Sequence, residues 1–165
     1  MIRAIETLTK TCVAVIFTSS LLLAFQMGDK VNKTSGGLAI KGYDPVAYFE
    51  HGKPMKGDAA YQFEWKGATW RFASAAHRES FMQDPARYAP QYGGFCAYGV
   101  SEGHTAPVDP EAWSIIGGKL YLNYDKKVRE DWKKDTSGRI RKADRNWPKL
   151  AGQESHPAKT PDSAR

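Results

Sequence analysis

The chain of 165 residues is 41% hydrophobic and 25% charged, which fits one globular domain and excludes a wholly disordered protein. Its formal net charge of +6 would by itself indicate a nucleic-acid or acidic-membrane partner. Residues 29–124 carry 10 basic and 10 acidic side chains, whereas residues 125–149 carry 10 and 5, so the excess charge lies in one C-terminal segment.

The chain begins with a weakly basic stretch, followed by an uncharged and largely apolar run at residues 12–27. This layout is typical of a secretory signal peptide, and the 16 residues fall short of the about 20 that a membrane-spanning helix needs. Because no small-x-small cleavage site follows, an uncleaved inner-membrane anchor through residues 12–27 stays open, as does a buried N-terminal helix. We predict that residues 1–28 are a signal peptide or membrane anchor, and that the protein is periplasmic or secreted.

Two β-hairpins are predicted in the aromatic-rich part of the chain, since 16 of the 20 aromatic residues lie between positions 43 and 124. The first hairpin turns at residues 66–67, and its alternating apolar residues indicate one buried face. The pairs predicted across it are Trp65 with Ala68, Phe63 with Trp70, and Tyr61 with Phe72. The second hairpin turns at residues 117–118, with an apolar face formed by Trp113, Ile115, Leu120 and Leu122.

Short helices are predicted between the hairpins. Ser74 can cap a helix that runs to about Gln83. Three Asp-Pro units, at Asp44, Asp84 and Asp109, are each predicted to start a helical turn, because Asp caps well and Pro suits the first helical position. Together these elements predict a compact α+β domain with two hairpins, short helices between them and a C-terminal helical segment.

The C-terminal segment at residues 125–149 is predicted to form two helices, capped by Asp125, broken at Gly138 and stopped by Pro148. Its basic residues fall mostly off the apolar line, which is typical of a solvated helix face. The alternative is attraction to an anionic membrane surface through residues 125–149. Residues 151–165 are rich in Pro, Ser, Ala and Lys and are predicted to be a disordered tail.

Several motifs resemble a known family. Residues 67–74 (GATWRFAS) and 84–88 (DPARY) resemble the YHS domain. Four further stretches resemble an exported bacterial branch of that family, which includes selenocysteine-containing members; they are residues 42–49 (GYDPVAYF), 88–97 (YAPQYGGFCA), 118–124 (GKLYLNY) and 143–148 (ADRNWP). The resemblance covers residues 38–150, the predicted YHS-type domain, and implies its fold and setting more specifically than a reaction.

The resemblance also bears on metal binding. Small YHS domains resemble heavy-metal-binding modules with one cysteine after Asp-Pro-Val and two bracketing the helix start. The matching positions here are Ala47, Ala73 and His77, so only His77 retains any ligand capacity. A thiolate-rich zinc site therefore cannot be carried over to this chain.

Cys96 is the second candidate functional residue. The other cysteine, Cys12, lies in the predicted signal segment, so Cys96 would be the only thiol of the mature chain and no internal disulfide could form. Related members carry selenocysteine at this position, which implies chemistry there. Gly93 and Gly94 allow a tight turn, and a helix starting near Cys96 would favour a thiolate. The alternative is a small cysteine buried in the core.

These residues lead to a functional prediction. Cys96, His77 and His104 are the candidate metal ligands, a thiolate and imidazole set suited to copper or another soft metal. His104 has a surface histidine as its alternative, and His51 is interpreted as an exposed turn residue. The leading function is therefore binding or handling of a copper-type ion, without catalysis.

Two other functions stay open. One is a single-thiol oxidoreductase in which Cys96 is the catalytic residue and acts on peroxide or a small thiol disulfide. The other is a non-catalytic module that binds a ligand or partner through its aromatic residues. A nucleic-acid partner is not expected, because an exported protein rarely meets one.

Overall fold

The computed structural model describes residues 30–152, which form two antiparallel hairpins, six α-helices and two short 3-10 helices at Ile40–Gly42 and Gln91–Gly94. In chain order the α-helices and strands are α1 (Ala47–Glu50), β1 (Asp58–Trp65), β2 (Ala68–Phe72), α2 (Ala75–Gln83), α3 (Pro85–Tyr88), α4 (Ala97–Ser101), β3 (Asp109–Ile116), β4 (Lys119–Asn123), α5 (Lys126–Lys133) and α6 (Thr136–Ala151). The predicted signal segment at residues 1–28 and residues 153–165 of the predicted tail lie outside the described residues. Within residues 30–152, no helix is long and apolar enough to cross a membrane.

The first hairpin pairs β1 with β2 and confirms two of the three predicted pairs, Trp65 with Ala68 and Phe63 with Trp70. The prediction that Tyr61 pairs with Phe72 is wrong, because the register shifts and Phe72 pairs with Asp58. The carboxylate of Asp58 accepts the amide N–H of Ala60 at 2.8 Å. This local turn takes extra residues into the β1 side, as in a β-bulge.

The second hairpin pairs β3 with β4 and confirms the predicted turn at residues 117–118, with Trp113 opposite Leu122 and Ile115 opposite Leu120. The predicted helical turn at Asp109 is wrong, since this residue opens β3 and pairs with Asn123. Its carboxylate does accept a nearby backbone N–H, as an N-cap would. Pairing with β4 nevertheless determines the backbone conformation, because tertiary context overrides local propensity.

The other predicted helix starts, one before the first hairpin and two between the hairpins, are confirmed. Ser74 caps α2 by accepting the amide N–H of His77, and α2 ends at Gln83 as predicted. Asp84 caps α3 in the same way. Asp44 precedes α1 and accepts the amide N–H groups of Val46 and Ala47. Its side chain also reaches the first turn of α2, which makes it part of the site described below.

The C-terminal segment forms two helices, but they begin and end at positions other than those predicted. Asp125 caps α5 as expected. The predicted break at Gly138 is wrong, because Asp135 caps α6 by accepting the N–H of Gly138, which places that glycine inside the first turn. The predicted stop at Pro148 is also wrong, since α6 continues to Ala151. Pro148 removes one hydrogen bond of the helix, and burial of the following residues holds the last turn in place.

Two aromatic clusters form the core. In the first, Trp70, Phe72 and Phe81 pack together beside Cys96 and the apolar face of the second hairpin, with the ring centroids of Trp70 and Phe81 5.2 Å apart. In the second, Tyr121 lies on Trp132 with ring centroids 5.3 Å apart. Burial of these large side chains provides most of the stabilisation. The predicted compact α+β fold is confirmed.

Candidate functional site

Cys96 lies where the start of α4 meets β4 of the second hairpin. It is the N-cap residue of α4, so a helix does begin beside it, and it is 2% exposed. Its main-chain N–H donates to the carbonyl of Ala106, and its backbone pairs with Leu122 of β4. The side chain is therefore held between the start of α4 and the end of β4.

The sulfur of Cys96 accepts two main-chain hydrogen bonds. The N–H of Gly99 lies 3.4 Å from Sγ, and the N–H of Tyr124 lies 3.2 Å from it. Such donors stabilise negative charge on sulfur, because they direct the positive ends of peptide dipoles toward it. The cysteine thus belongs to the first core cluster, while its sulfur also contacts polar groups.

Asn123 is a polar neighbour of this sulfur that the sequence did not indicate. The side chain is fully buried, and its Oδ1 lies 3.9 Å from the sulfur of Cys96. Oδ1 also accepts the N–H of Tyr98, while Nδ2 has no hydrogen-bond partner among the described residues. An unpaired buried amide costs about 1–3 kcal/mol. The one feature of the sequence that could have indicated Asn123 is its position, because it is an amide side chain at the end of the apolar strand β4.

His77 belongs to a second polar cluster, at the start of α2. Its imidazole is 5% exposed, and Nδ1 lies 2.5 Å from the carboxylate of Asp44. Asp44 is fully buried, and its two oxygens also accept the main-chain N–H groups of Val46, Ala47 and Ala73. A carboxylate with these contacts accepts a hydrogen bond from the Nδ1–H of the imidazole, which leaves the Nε2 lone pair directed away from Asp44.

The Nε2 atom of His77 faces two side chains from the end of α1. It lies 3.2 Å from Nε2 of His51 and 3.5 Å from a carboxylate oxygen of Glu50. His51 is exposed, as interpreted from the sequence, but its ring packs against that of His77. The three side chains bring two imidazole nitrogens and one carboxylate together at the surface. Imidazole and carboxylate are ligands that borderline transition metals accept.

His104 follows the end of α4 and is exposed. Its main-chain N–H donates to the carbonyl of Gly99, and its ring lies close beside that glycine. Among residues 30–152, no hydrogen bond joins Cys96 to His77 or to His104. The same part of the chain contains no group of three or more His, Cys, Asp or Glu side chains that could hold a metal ion as arranged.

Sequence reasoning therefore named His77 but missed its partners Asp44, Glu50 and His51. Asp44 was interpreted only as a helix cap, a role that uses one of its two oxygens. The comparisons with known proteins add no further residues: neither protein-family models, nor curated proteins, nor solved structures give a match to this chain.

Proposed function

We propose that this protein binds a copper-type transition-metal ion through the imidazoles of His77 and His51, and serves in metal handling in the cell envelope. The observation that carries this proposal is the 3.2 Å separation of the two Nε2 atoms. With metal–nitrogen bonds of about 2.0–2.1 Å, two nitrogens at that distance subtend roughly 100° at the metal, near the tetrahedral angle.

Asp44 supports this proposal as a positioning residue. Metal-bound histidines commonly donate their second ring N–H to a carboxylate, which fixes the tautomer and the ring orientation. The Asp44 contact to Nδ1 of His77 has this form. In the metal-free protein the two Nε2 atoms share one hydrogen bond, which a bound metal would replace, with each ring then carrying its proton on Nδ1.

The resemblance to the YHS domain supports the same class of function, since it implies an association with heavy metals. The ligand set predicted from the sequence, Cys96 with His77 and His104, stays a prediction. It differs from the proposed set in requiring the thiol and His104, whereas the proposed set requires His51.

Equilibrium dialysis of the full chain against Cu(II), Zn(II) and, under reducing conditions, Cu(I) tests the proposal. His51→Ala is the cleanest variant because His51 is exposed and its loss leaves the core intact. We expect it to weaken binding at least about tenfold, and Asp44→Asn to weaken it by a similar factor. His104→Ala is the matched control and should bind as the wild type does.

Each outcome of this dialysis has a clear meaning. Unchanged affinity in His51→Ala would contradict the proposed pair. Loss of binding in Cys96→Ser and His104→Ala, with His51→Ala unaffected, would instead support the set predicted from the sequence. Absence of saturable binding by the wild-type chain would exclude both sets.

A second candidate function is single-thiol redox chemistry at Cys96, favoured by the two N–H donors on its sulfur. In this reaction the thiolate attacks one oxygen of hydrogen peroxide, the O–O bond breaks, and hydroxide leaves while sulfur is oxidised to a sulfenic acid. A small thiol then displaces water to form a mixed disulfide, and a second thiol releases Cys96 by disulfide exchange.

Stopped-flow oxidation followed by mass spectrometry tests this second function. We expect Cys96 to gain one oxygen atom from peroxide faster than free cysteine does at neutral pH, because two main-chain N–H groups are directed at its sulfur. Cys96→Ser controls for oxidation elsewhere in the chain. A rate at or below that of free cysteine would rule out a peroxide-reducing role and leave Cys96 as a buried core residue.

A further inference from the structure

The second core cluster contains a continuous row of oxidisable aromatic rings. Trp132, Tyr121, Tyr92 and Trp147 follow one another in this row, with successive ring centroids 5.3, 6.0 and 5.9 Å apart. Such separations are typical of aromatic rings in contact. The row runs from Trp132, which is fully buried, to Trp147, which is half-buried on α6. We propose that it is an electron-transfer relay in which Tyr92 is oxidised and gives its proton to Asp144.

The relay depends on the hydroxyl group of Tyr92. This group donates to a carboxylate oxygen of Asp144 at 2.9 Å. Burial and this hydrogen bond raise the pKa of Tyr92 above its usual 10.0, so the phenol is protonated at neutral pH. Loss of one electron makes a phenol strongly acidic, and a carboxylate already in hydrogen-bond contact accepts the proton without rearrangement. Asp144 is exposed and can pass the proton on to water.

The backbone around Tyr92 holds its ring in this position. Tyr92 has a left-handed backbone with φ of 56°, which a non-glycine residue adopts only when its surroundings hold it there. The main-chain N–H of Asn32 contributes to that hold by donating to the carbonyl of Gly93, the next residue. Asp144 and Trp147 lie three residues apart on α6 and therefore share one face of the helix. The electron donor, its oxidised neighbour and the proton acceptor are thus in place before any reaction.

Trp132 determines the direction in which charge moves along the row. Its indole N–H is buried and has no hydrogen-bond partner within residues 30–152. An oxidised Trp132 therefore keeps its positive charge in the core, where an unpaired charge is costly. An electron from Tyr121 moves that charge outward to the next ring. At Tyr92 the charge is neutralised because the proton leaves for Asp144.

Tyr48 in the first core cluster provides a matched comparison. It also contacts a tryptophan, with its ring centroid 5.3 Å from that of Trp113. Its hydroxyl donates at 3.0 Å to the main-chain carbonyl of Pro110, an acceptor that is too weakly basic to take up a proton. Tyr48 therefore shares the ring contact of Tyr92 but not its proton acceptor.

The electrons and protons of the relay balance at each step. The oxidant is a one-electron radical of the class that peroxide and a redox-active metal form in water, and it removes an electron from Trp147. Trp147 then takes one electron from Tyr92, while the O–H bond of Tyr92 breaks and its proton joins the carboxylate of Asp144. A soluble thiol returns a hydrogen atom to the oxygen of Tyr92 and becomes a thiyl radical, and Asp144 releases its proton to water. The relay thereby removes oxidising equivalents from the core, and it requires no metal at His77.

Pulse radiolysis of the full chain with azidyl radicals, which take one electron from tryptophan, tests the proposal. We expect the absorbance of the tryptophan radical to decay while that of the tyrosyl radical grows, with a first-order rate that does not depend on the protein concentration. Tyr92→Phe should remove most of this growth, because phenylalanine supplies neither the electron nor the proton. Tyr48→Phe is the matched control and should leave the growth unchanged.

Asp144→Asn distinguishes proton transfer from ring contact alone. Asparagine keeps a hydrogen-bond acceptor at this position but cannot take up the proton, and the exposed position of Asp144 leaves the core intact. We expect the tyrosyl radical to form at least about tenfold more slowly in this variant, with a smaller solvent isotope effect. Unchanged growth in Tyr92→Phe, equal rates in Asp144→Asn and the wild type, or a rate that rises with the protein concentration would each overturn the proposal.

Discussion

Replacement of Asp44 by alanine is the sharpest test of how the His77 cluster is held together. The carboxylate is fully buried and accepts four hydrogen bonds, from the imidazole of His77 and from the main-chain N–H groups of Val46, Ala47 and Ala73. It thereby ties α1, the end of β2 and the start of α2 to one side chain. Alanine removes every acceptor at once and leaves four buried donors.

The size of the effect follows from these contacts. Loss of the bonds to Val46 and Ala47 resembles the loss of a helix N-cap and costs about 1 kcal/mol. The N–H of Ala73 and the imidazole N–H of His77 each lose a partner, at about 1–3 kcal/mol per buried donor. Removal of a buried charge offsets part of this cost. We expect Asp44→Ala to lower the free energy of unfolding by about 4 kcal/mol, a large fraction of the about 5–15 kcal/mol typical of domains.

Urea unfolding at neutral pH measures this change, with Asp84→Ala as the matched control. Asp84 is exposed and accepts one main-chain N–H, that of Arg87, so its loss should cost about 1 kcal/mol. The double variant Asp44→Ala with His77→Ala should cost less than the sum of the two single changes, because both remove the same bond. If Asp44→Ala costs no more than Asp84→Ala, the additional hydrogen bonds to Asp44 do not stabilise the fold.

Three further predictions concern other parts of the molecule. Burial raises the pKa of Tyr48 above its usual 10.0. The free energy of unfolding is therefore unaffected by ionisation of this residue below about pH 10, and it falls by up to about 1.4 kcal/mol per pH unit above that. Urea unfolding at a series of alkaline pH values should show a shallower fall for Tyr48→Phe than for the wild type. Both Gly93 and Gly117 have positive φ, but only at Gly93 would a Cβ overlap the carbonyl of Lys30. Gly93→Ala should therefore lower the free energy of unfolding by at least about 2 kcal/mol more than Gly117→Ala, as measured by urea unfolding. If residues 125–149 contact an anionic membrane, the exposed Arg141 and Arg145 should contribute to that contact. Replacing both by Gln should then weaken the salt-sensitive cosedimentation with phosphatidylglycerol vesicles about tenfold. Equal binding of wild type and variant would show that this helix face is only solvated.

The elements predicted correctly were those that depend on local chemistry. The turn at residues 66–67 and the caps at Ser74, Asp84 and Asp125 each involve groups within four residues of one another. Their conformations follow from glycine's access to positive φ and from the reach of a short polar side chain to a nearby N–H. The same local signals were present at Asp109, but pairing with β4 overrode them.

The register shift of β1 and the ends of the C-terminal helices could not be predicted from the sequence, because they depend on contacts with neighbouring segments of the folded chain. Gly57 lies against the backbone of Arg71 so closely that a Cβ would overlap it, and the shifted register of β1 accompanies this approach. Asp135 rather than Gly138 defines the start of α6, since its side chain reaches an N–H three residues on. A glycine near a helix start is as compatible with the first turn as with a break.

The sequence by itself determined the α+β architecture, the position of the excess charge, and the choice of Cys96 and His77 as residues of interest. Only the tertiary structure decided their partners. His77 meets Asp44 across 33 residues and His51 across 26, and the sulfur of Cys96 meets the N–H of Tyr124 across 28. Residue types and local spacing specify which groups can accept a proton or a metal. Contacts between distant segments depend on how the helices and hairpins pack, which no local pattern encodes.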